Sequence, residues 1–347
     1  MPTYDSDEDL DDFIETKVLL GFAADDPAGD PVSHLGGAPA WPHPASAADA
    51  RLAKCAVCNK LMSLLLQLNG AIPESPHDRV FYVFGCKEKT CRRKPGSVRA
   101  LRAVTVSREF VEREEKARRE ERRSEDAAPA AAKPAEQLTK TFAETLKIGV
   151  AAAPAPEPLL YGPSEPWPAP AAHQYPLFYL DADFETLARA APAVDQKILE
   201  LLDDEGAAGE APASNSDADD GVLDAVFQKF ADRAGQNPEQ VLRYERGGAP
   251  LLYSDADAVA RVLLDARGEH TSRKLPACGE CGRRERVFEF QLMPHAITEL
   301  ERDSMGLDGM EWGTIVVATC VCTPRVRDAN GVGWVEEWVG VQWEGQR

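Results

Sequence analysis

The 347-residue chain lacks an apolar run long enough to cross a bilayer. Its longest, Leu61–Leu68, falls far short of the roughly 20 residues a spanning helix needs. The opening Met1-Pro2-Thr3-Tyr4-Asp5 has neither the basic start nor the apolar stretch of a secretory leader. Positive charge is scarce: 39 Lys and Arg stand against 58 Asp and Glu, a formal net charge of −19. That balance argues against general nucleic-acid binding, because phosphate contacts need clustered cations. It disfavours anionic lipid headgroups for the same reason. A basic protein partner fits, since an acidic surface attracts one. These features read as a soluble intracellular protein, cytoplasmic, with the nucleus also open.

Catalytic signatures are missing as well. His34, His43, His77, His173, His270 and His295 lie in loops or near proline, with no HExxH spacing. There is no GxSxG and no Walker A motif. Gly36-Gly37-Ala38-Pro39 has no strand-turn-helix around it, so it reads as a backbone turn needing positive φ at Gly36 or Gly37. No nucleophile–base constellation emerges, and we expect no enzyme.

What the chain does have is eight cysteines in two groups of four. Cys55-x2-Cys58 is followed by Cys86-x4-Cys91, and Cys278-x2-Cys281 by Cys320-x-Cys322. A reducing compartment argues against a disulfide framework. Four thiols per group suit one tetrahedral zinc each, structural because four thiolates leave no open coordination position. A thioredoxin-type redox pair needs a helix starting at the first Cys, and Asn59-Lys60 with a Leu-rich run follows instead. The first group is the cleaner. On a flat strand the Cβ atoms of Cys320 and Cys322 would lie about 7 Å apart, so both reach one ion only if the strand turns there. Buried free thiols packing as small hydrophobes are the plain alternative.

The two groups belong to an internal repeat. The first copy runs Cys55-x2-Cys58, Leu64–Leu68, Arg79–Cys86, Cys91 and Ser97–Val104. The second runs Cys278-x2-Cys281, Phe288–Leu292, Gly313–Cys320, Cys322 and Trp334–Trp343. Order is shared: CxxC, an apolar run with Gln, a β-branched and aromatic run ending in Cys, another Cys, and a last alternating run. Short runs rich in Val and aromatics predict strands. The expected fold is β-rich α+β: two similar halves, each a small antiparallel sheet unit with a four-Cys zinc-like site, with helices added to the C-terminal half.

Composition marks the boundaries. Residues 1–16 form an acidic disordered arm. Residues 17–106 are the N-terminal β-rich repeat. Residues 107–123 are a charged helix supported by Glu114–Arg118 and Glu115–Arg119. Residues 124–174 are an Ala/Pro-rich linker, in which Leu138, Phe142 and Leu146 sit at helical spacing. Residues 175–347 hold the C-terminal domain, interrupted by the acidic loop 203–221. Within it Tyr175–Leu180 predicts a strand. Val222, Val226 and Phe230 predict a helix, as does Ser254-Asp255 through Leu263. Asn237-Pro238-Glu239-Gln240 looks like a further helix start. One basic patch, Lys87, Lys89, Arg92, Arg93, Lys94, Arg99 and Arg102, faces Glu88 alone in sequence and suits either RNA or the protein's own acidic arms.

A family resemblance rests on these residues. Val18-Leu19-Leu20-Gly21-Phe22, His34–Trp41, the first CxxC, Leu64–Leu68, Phe81–Cys86 and Gly96–Arg99 resemble the opening of the programmed cell death protein 2 family. The C-terminal half is more specific: Phe227–Phe230, Asn237–Tyr244, Pro250-Leu251, Cys278-Gly279-Glu280-Cys281, Arg286–Pro294 and Trp312-Gly313-Thr314. There is no MYND-type finger between the halves, so the chain is similar to the shorter branch that includes the programmed cell death protein 2-like and fungal 20S rRNA accumulation proteins. Relatives often space the last two cysteines further apart than Cys320 and Cys322.

The resemblance implies a dedicated, co-translational chaperone of one basic small-subunit ribosomal protein, universal small-subunit protein five. It would support 40S biogenesis and 20S pre-rRNA maturation indirectly, with contact to the ribosome only through that client. It implies a β-rich duplicated fold and carries over no catalytic residue. The charge is compatible, because a −19 chain can shield a basic client from polyanions. Asp203, Asp204, Glu205, Asp217, Asp219 and Asp220 are the candidate client contacts, with an exposed face of the sheets. The alternative is a zinc-containing RNA-binding ribosome assembly factor.

Overall fold

The structure is a computed structural model that describes residues 13–27, 29–127, 164–168, 174–188, 225–303, 309–325 and 327–345. Its centre is a closed, ten-stranded antiparallel barrel. The strands are β1 (Phe13–Ala24), β2 (His34–Leu35), β3 (Ser63–Asn69), β4 (His77–Gly85), β5 (Val98–Val106), β6 (Phe178–Ala188), β7 (Gln240–Tyr244), β8 (Arg286–Leu292), β9 (Trp312–Cys320) and β10 (Gly333–Trp343). Helices among the described residues are α1 (Arg108–Ala127), α2 (Ala225–Gly235), α3 (Ala258–Leu263) and α4 (His295–Leu300). No described helix is long and apolar enough to cross a membrane.

Closure is made by pairings that sequence reading leaves out. The order around the barrel is β1-β6-β2-β3-β4-β5-β10-β9-β8-β7. The meanders β3-β4-β5 and β8-β9-β10 fall in the two copies expected from the cysteine repeat. They do not stand as separate sheets: β5 pairs with β10, Val104 opposite Gly333 and Ala100 opposite Glu337. On the far side each half lends a strand to the other. β1 lies beside β7, Leu19 opposite Tyr244, while β6 lies beside β2, Tyr179 opposite His34. A barrel has no edge to protect, and its central strands β4 and β9 are buried on both faces over most of their length, while β1 and β6 keep an exposed stretch.

The two-sided burial explains why β4 and β9 read as continuous apolar runs instead of alternating ones. In β4, Phe81 and Val83 point into the barrel core with Phe290, Ile315 and Val317. Tyr82 and Phe84 point outward, under the first cysteine group. In β9, Ile315 and Val317 face in, while Val316 and Ala318 face the outer layer made by Val259, Ala260 and Leu263 of α3. Period-two alternation is intact, but both faces are covered.

The meanders share irregularities. β3 slips register against β4 between Leu64 and Leu66, and β8 slips against β9 between Phe288 and Phe290. With Gln67 aligned on Gln291, Leu65 and Glu289 are the same bulged position. Each Gln then clamps the same kind of turn. Gln67 Oε1 accepts from Ala40 N at 2.8 Å, and Gln291 Oε1 from Leu251 N at 2.7 Å. Ala40 follows Gly36-Gly37-Ala38-Pro39, and Leu251 follows Gly247-Gly248-Ala249-Pro250, a second copy that the cysteine-centred comparison overlooks. Gly36 and Gly37 take φ of 59° and 66°, as the turn reading requires. A Cβ on Gly36 would lie 2.0 Å from Pro176 O.

Several boundaries move. Phe13–Glu15, placed in the acidic arm, pair with Thr186–Ala188 because β6 offers them a partner strand. Asn237–Gln240 opens no helix. Gln240 Nε2 turns back to Asn237 O at 2.7 Å and Ala234 O at 3.2 Å, so the segment ends α2 and starts β7 with Val241 and Leu242 buried. The charged helix is present as α1, with Arg119 bound to Glu115. α3 begins one turn later than expected, capped by Asp257, whose carboxylate accepts from Ala260 N. The Leu138–Leu146 spacing, Val222 and the acidic loop 203–221 lie outside the described residues.

Candidate metal centres

Each CxxC folds as the same tight knuckle. Cys55 N donates to Lys60 O at 2.9 Å, and Asn59 N to Cys55 O at 2.9 Å. In the second copy Cys278 N donates to Arg283 O and Gly282 N to Cys278 O, both at 2.7 Å. The residue after the second Cys is left-handed in both, Asn59 at φ 58° and Gly282 at φ 74°. Asn and Gly are the residue types that tolerate this conformation. Gly96 lets the chain come close beneath the first knuckle, where a Cβ would lie 2.4 Å from Ala56 Cβ.

The second pair in each group arrives from the meander. Cys86 directly follows β4, and Cys91 ends a short 3-10 turn, Lys89–Cys91. Cys320 is the last residue of β9 and Cys322 stands beyond it. The chain bends at Val321, which is half exposed, and that bend brings both sulfurs to one point. All eight predicted ligands are therefore gathered as two sets, Cys55/Cys58/Cys86/Cys91 and Cys278/Cys281/Cys320/Cys322. In each set the Sγ atoms all lie within 4.8 Å of one another.

The spacing fits a tetrahedral ion. Cys58 and Cys86 sulfurs are 3.7 Å apart, Cys278 and Cys322 3.7 Å, and Cys281 and Cys320 3.5 Å. Sulfurs about 2.3 Å from a tetrahedral centre stand about 3.8 Å from each other. A disulfide would bring two of them to about 2.05 Å, and all eight are free thiols. The two sets can thus hold a metal such as zinc. Cys278 is held down to about 4 by its hydrogen bond with Cys322, against the push of burial. The hydrogen bond to Cys278 and burial push Cys322 up, and burial pushes Cys320 up to about 11. Burial likewise pushes Cys86 and Cys91 up, whereas the Lys60 backbone amide lowers Cys58.

What lies beneath the two sets differs. Behind the first is an aromatic cluster: Trp41 packs on Tyr82 at 5.2 Å, on Trp167 at 4.8 Å and on Trp334 at 5.5 Å, and Phe84 on Trp167 at 5.6 Å. Trp167 comes from the Ala/Pro-rich segment. There Glu165 also pairs with Lys54 at 2.6 Å, so residues 164–168 are docked rather than free linker. Behind the second set is a buried ion triad. Glu337, with no exposed side-chain surface, pairs with Arg102 at 2.7 Å and Arg286 at 2.5 Å. Glu337 also accepts from Cys320 N, and Arg102 donates to the carbonyls of Cys320 and Cys322.

Three of the seven cations of the basic patch are drawn into ion pairs. Arg102 is consumed in that triad, Arg99 binds Glu336 at 2.7 Å, and Arg93 binds Glu311 at 3.1 Å. Two more fully buried carboxylates were invisible to sequence reading because their partners are remote. Glu289 binds Arg79 at 2.6 Å and accepts from Thr319 and Tyr244. Glu185 binds Arg233 at 2.5 Å and Arg243 at 2.7 Å. Burial pushes Glu185 up, but its two arginines hold it down to about 2. The candidate client contacts Asp203, Asp204, Glu205, Asp217, Asp219 and Asp220 lie outside the described residues.

With this geometry established, comparison with known proteins is direct. Residues 18–125 match the programmed cell death protein 2 N-terminal domain, and residues 224–343 the C-terminal domain of the same family. The chain belongs to the programmed cell death protein 2 family. It is 26% identical to the probable 20S rRNA accumulation protein 4 of Schizosaccharomyces pombe, over 96% of this chain and 99% of that one. It is 30% identical to Bos taurus programmed cell death protein 2 across 47% of this chain and 44% of the relative. It is 41% identical to Homo sapiens programmed cell death protein 2-like across 28% of this chain and 23% of the relative. No solved structure matches it.

Proposed function

We propose that this protein acts in small-subunit ribosome biogenesis as a non-catalytic, zinc-containing chaperone of a basic ribosomal client, universal small-subunit protein five. The observation that carries the reading is the end-to-end similarity to a protein named for 20S rRNA accumulation. The net charge of −19 supports a basic protein client, since opposite charge steers association and shields the client from RNA. Three of the seven cations of the basic patch, Arg93, Arg99 and Arg102, are paired with carboxylates of the C-terminal half, which weakens the support for the RNA-binding alternative. We place the protein in the cytoplasm, with the nucleus also open, where nascent clients emerge.

We assign zinc to both cysteine sets. When bound it would cross-link each knuckle to its meander and contribute folding free energy. The chain's residues hold it: two backbone-fixed knuckle sulfurs, and two from the end of a central strand. The shared knuckle, bulge and Gln-clamped turn support reading the halves as two similar units that have merged one barrel.

The test is affinity capture of the tagged chain from native cytosolic extract, reading both co-purifying proteins and the mRNAs of attached ribosomes. One dominant small-subunit protein, with its own mRNA enriched, is expected. A broad set of rRNA and assembly factors without a dominant client would overturn the chaperone reading. Elemental analysis of the same preparation should give two zinc ions per chain.

A further inference from the structure

The barrel closes most thinly beside β6. The 11 residues of β6 pair along one edge with β1. On the other edge β2 reaches only Phe178 and Tyr179. Leu180 N still donates to Ser33 O at 3.1 Å. There the neighbouring chain turns away at Asp30, whose carboxylate accepts from Val32 N and Ser33 Oγ. Further along, Ala188 N donates to Gln236 and Thr186 O accepts from Asn237. Between these caps Asp181–Phe184 is exposed, and among the described residues no strand pairs with it on this edge.

Backbone groups alternate between the two edges of a strand, so the Leu180 bond to Ser33 fixes which way the others point. Ala182 and Phe184 present their N–H and C=O groups to the open edge. Each N–H is plugged by the carboxylate before it. Ala182 N donates to Asp181 Oδ1 at 2.9 Å, and Phe184 N to Asp183 Oδ1 at 2.8 Å. Both aspartates are exposed, and neither has an ion-pair partner among the described residues. An open edge is a template for a further strand.

The two faces of this edge differ. Leu180, Ala182 and Phe184 lie on one face, Asp181 and Asp183 on the other. Beside the first face, where β2 stops, a cavity of about 230 Å³ opens between β6 and the end of β3, lined by Leu19, Leu68, Leu180, Ala182 and Leu242. Phe184 lies opposite Leu19 and is 50% exposed. A strand laid along the edge would meet apolar surface on one face and carboxylates on the other, with a period of two.

We propose that this edge of β6 takes up, as an added strand, an extended polypeptide segment whose residues alternate between apolar and basic. Its apolar side chains would enter the cavity and cover Phe184. Its backbone would pair with Ala182 and Phe184, and the released Asp181 and Asp183 would take up its Lys or Arg. Charge disfavours the other occupants. The adjoining segments of this chain are acidic: residues 1–12 hold six acids and no Lys or Arg, and residues 189–224 hold ten acids and two cations. Two copies meeting at this edge would set aspartates against aspartates. That the segment belongs to the ribosomal client rests on the chaperone reading; the chemistry of the edge does not.

The probe is fluorescein-labelled Lys-Val-Arg-Leu-Lys-Val-Arg amide, titrated with the full-length protein and read by fluorescence anisotropy. It should bind, and salt should weaken it. Asp181→Asn with Asp183→Asn keeps the side-chain oxygens that plug the edge and removes both charges. That variant should keep the wild-type melting curve and weaken the peptide about fivefold, the scale of two exposed ion pairs. Two analogues, N-methylated on the apolar or on the basic residues, test the backbone. One should lose at least about tenfold and the other should not, because a strand offers alternate N–H groups to its neighbour. No binding, equal affinity of all three peptides, or equal binding by the Asn variant would overturn the proposal. So would a dimer that excludes the peptide, which would give the edge to a second copy. Capture from extract separates this proposal from the chaperone reading. If wild type and the Asn variant enrich one ribosomal protein equally, the edge proposal falls and the chaperone reading stands. If wild type enriches no dominant client while the peptides behave as expected, the chaperone reading falls and the edge keeps its specificity.

Discussion

The two cysteine sets have knuckles closed by the same backbone hydrogen bonds, and opposite foundations. The first rests on Trp41, Tyr82, Phe84, Trp167 and Trp334. The second rests on Arg102, Glu337 and Arg286, buried and mutually bonded. One local geometry can therefore be fixed either by packing or by a buried charge network. The aromatic foundation gains from apolar burial and tolerates small adjustments. The ionic one works only when complete, because removing one partner strands the others in a dry interior. Each foundation also borrows from the opposite half: Trp334 of β10 sits under the first set, and Arg102 of β5 under the second.

The largest expected effects come from breaking each set directly. Cys58→Ser should release one zinc and, because both halves share one barrel, destabilise the whole fold, and Cys281→Ser should do the same through the second set. Each should lower the melting temperature by tens of degrees, on the scale of losing several kcal/mol of metal-linked stability, roughly. An unchanged zinc content and melting curve in Cys58→Ser would refute the first assignment.

Next come the foundations. Glu337→Gln leaves two buried arginines short of a charge and should cost about 3–5 kcal/mol. Phe84→Ala removes a fully buried ring and should cost a similar amount, about 3–5 kcal/mol. The comparison lies in which zinc is lost first under chelator. Glu337→Gln should free the second-set ion early, and Phe84→Ala the first. If both variants loosen both ions equally, the foundations are not separate.

The paired turns give a finer contrast. Gly36→Ala combines a left-handed backbone with a Cβ 2.0 Å from Pro176 O, a contact that cannot be relieved without moving the chain. Gly247, at φ 81°, has open space around its Cβ position. Gly247→Ala should cost only the backbone term of about 1–2 kcal/mol, and Gly36→Ala clearly more in denaturant titration. Equal losses would show that the two turns are held alike.

The smallest effect is a slope against pH, and it concerns the titration of Glu185 in acid. Its folded pKa of about 2 lies below an ordinary value near 4.5. Its stabilising contribution is therefore complete above about pH 4.5 and fades as pH falls toward 2. Stability measured across that window should fall with pH in the wild type, and the slope should flatten in Glu185→Gln.

Much of the site was legible. Eight cysteines at knuckle spacing named their own ligand sets, and the one doubtful spacing, Cys320-Val321-Cys322, turns at Val321 as that geometry demands. The strand runs, the helix α1 and the turn at Gly36-Gly37 were legible because each follows from local chemistry: β-branched periodicity, i,i+4 charge pairs, positive φ. The false helix start at Asn237 shows the limit of that chemistry. Asn-Pro-x-Gln carries capping residues, but burial of Val241 and Leu242 between β1 and β8 outweighs them.

The sequence alone determined which sulfurs go together, which segments extend, and that the chain is acidic, since all three are properties of residues and their near neighbours. Only tertiary structure decided that the halves share one barrel, that β1 and β6 cross over, and that Arg99 and Arg102 of the apparent basic patch turn to carboxylates more than 200 positions away. Those outcomes depend on partners brought together by closure of the sheet, and a charge or a strand edge carries no mark in sequence of the distant group that will satisfy it.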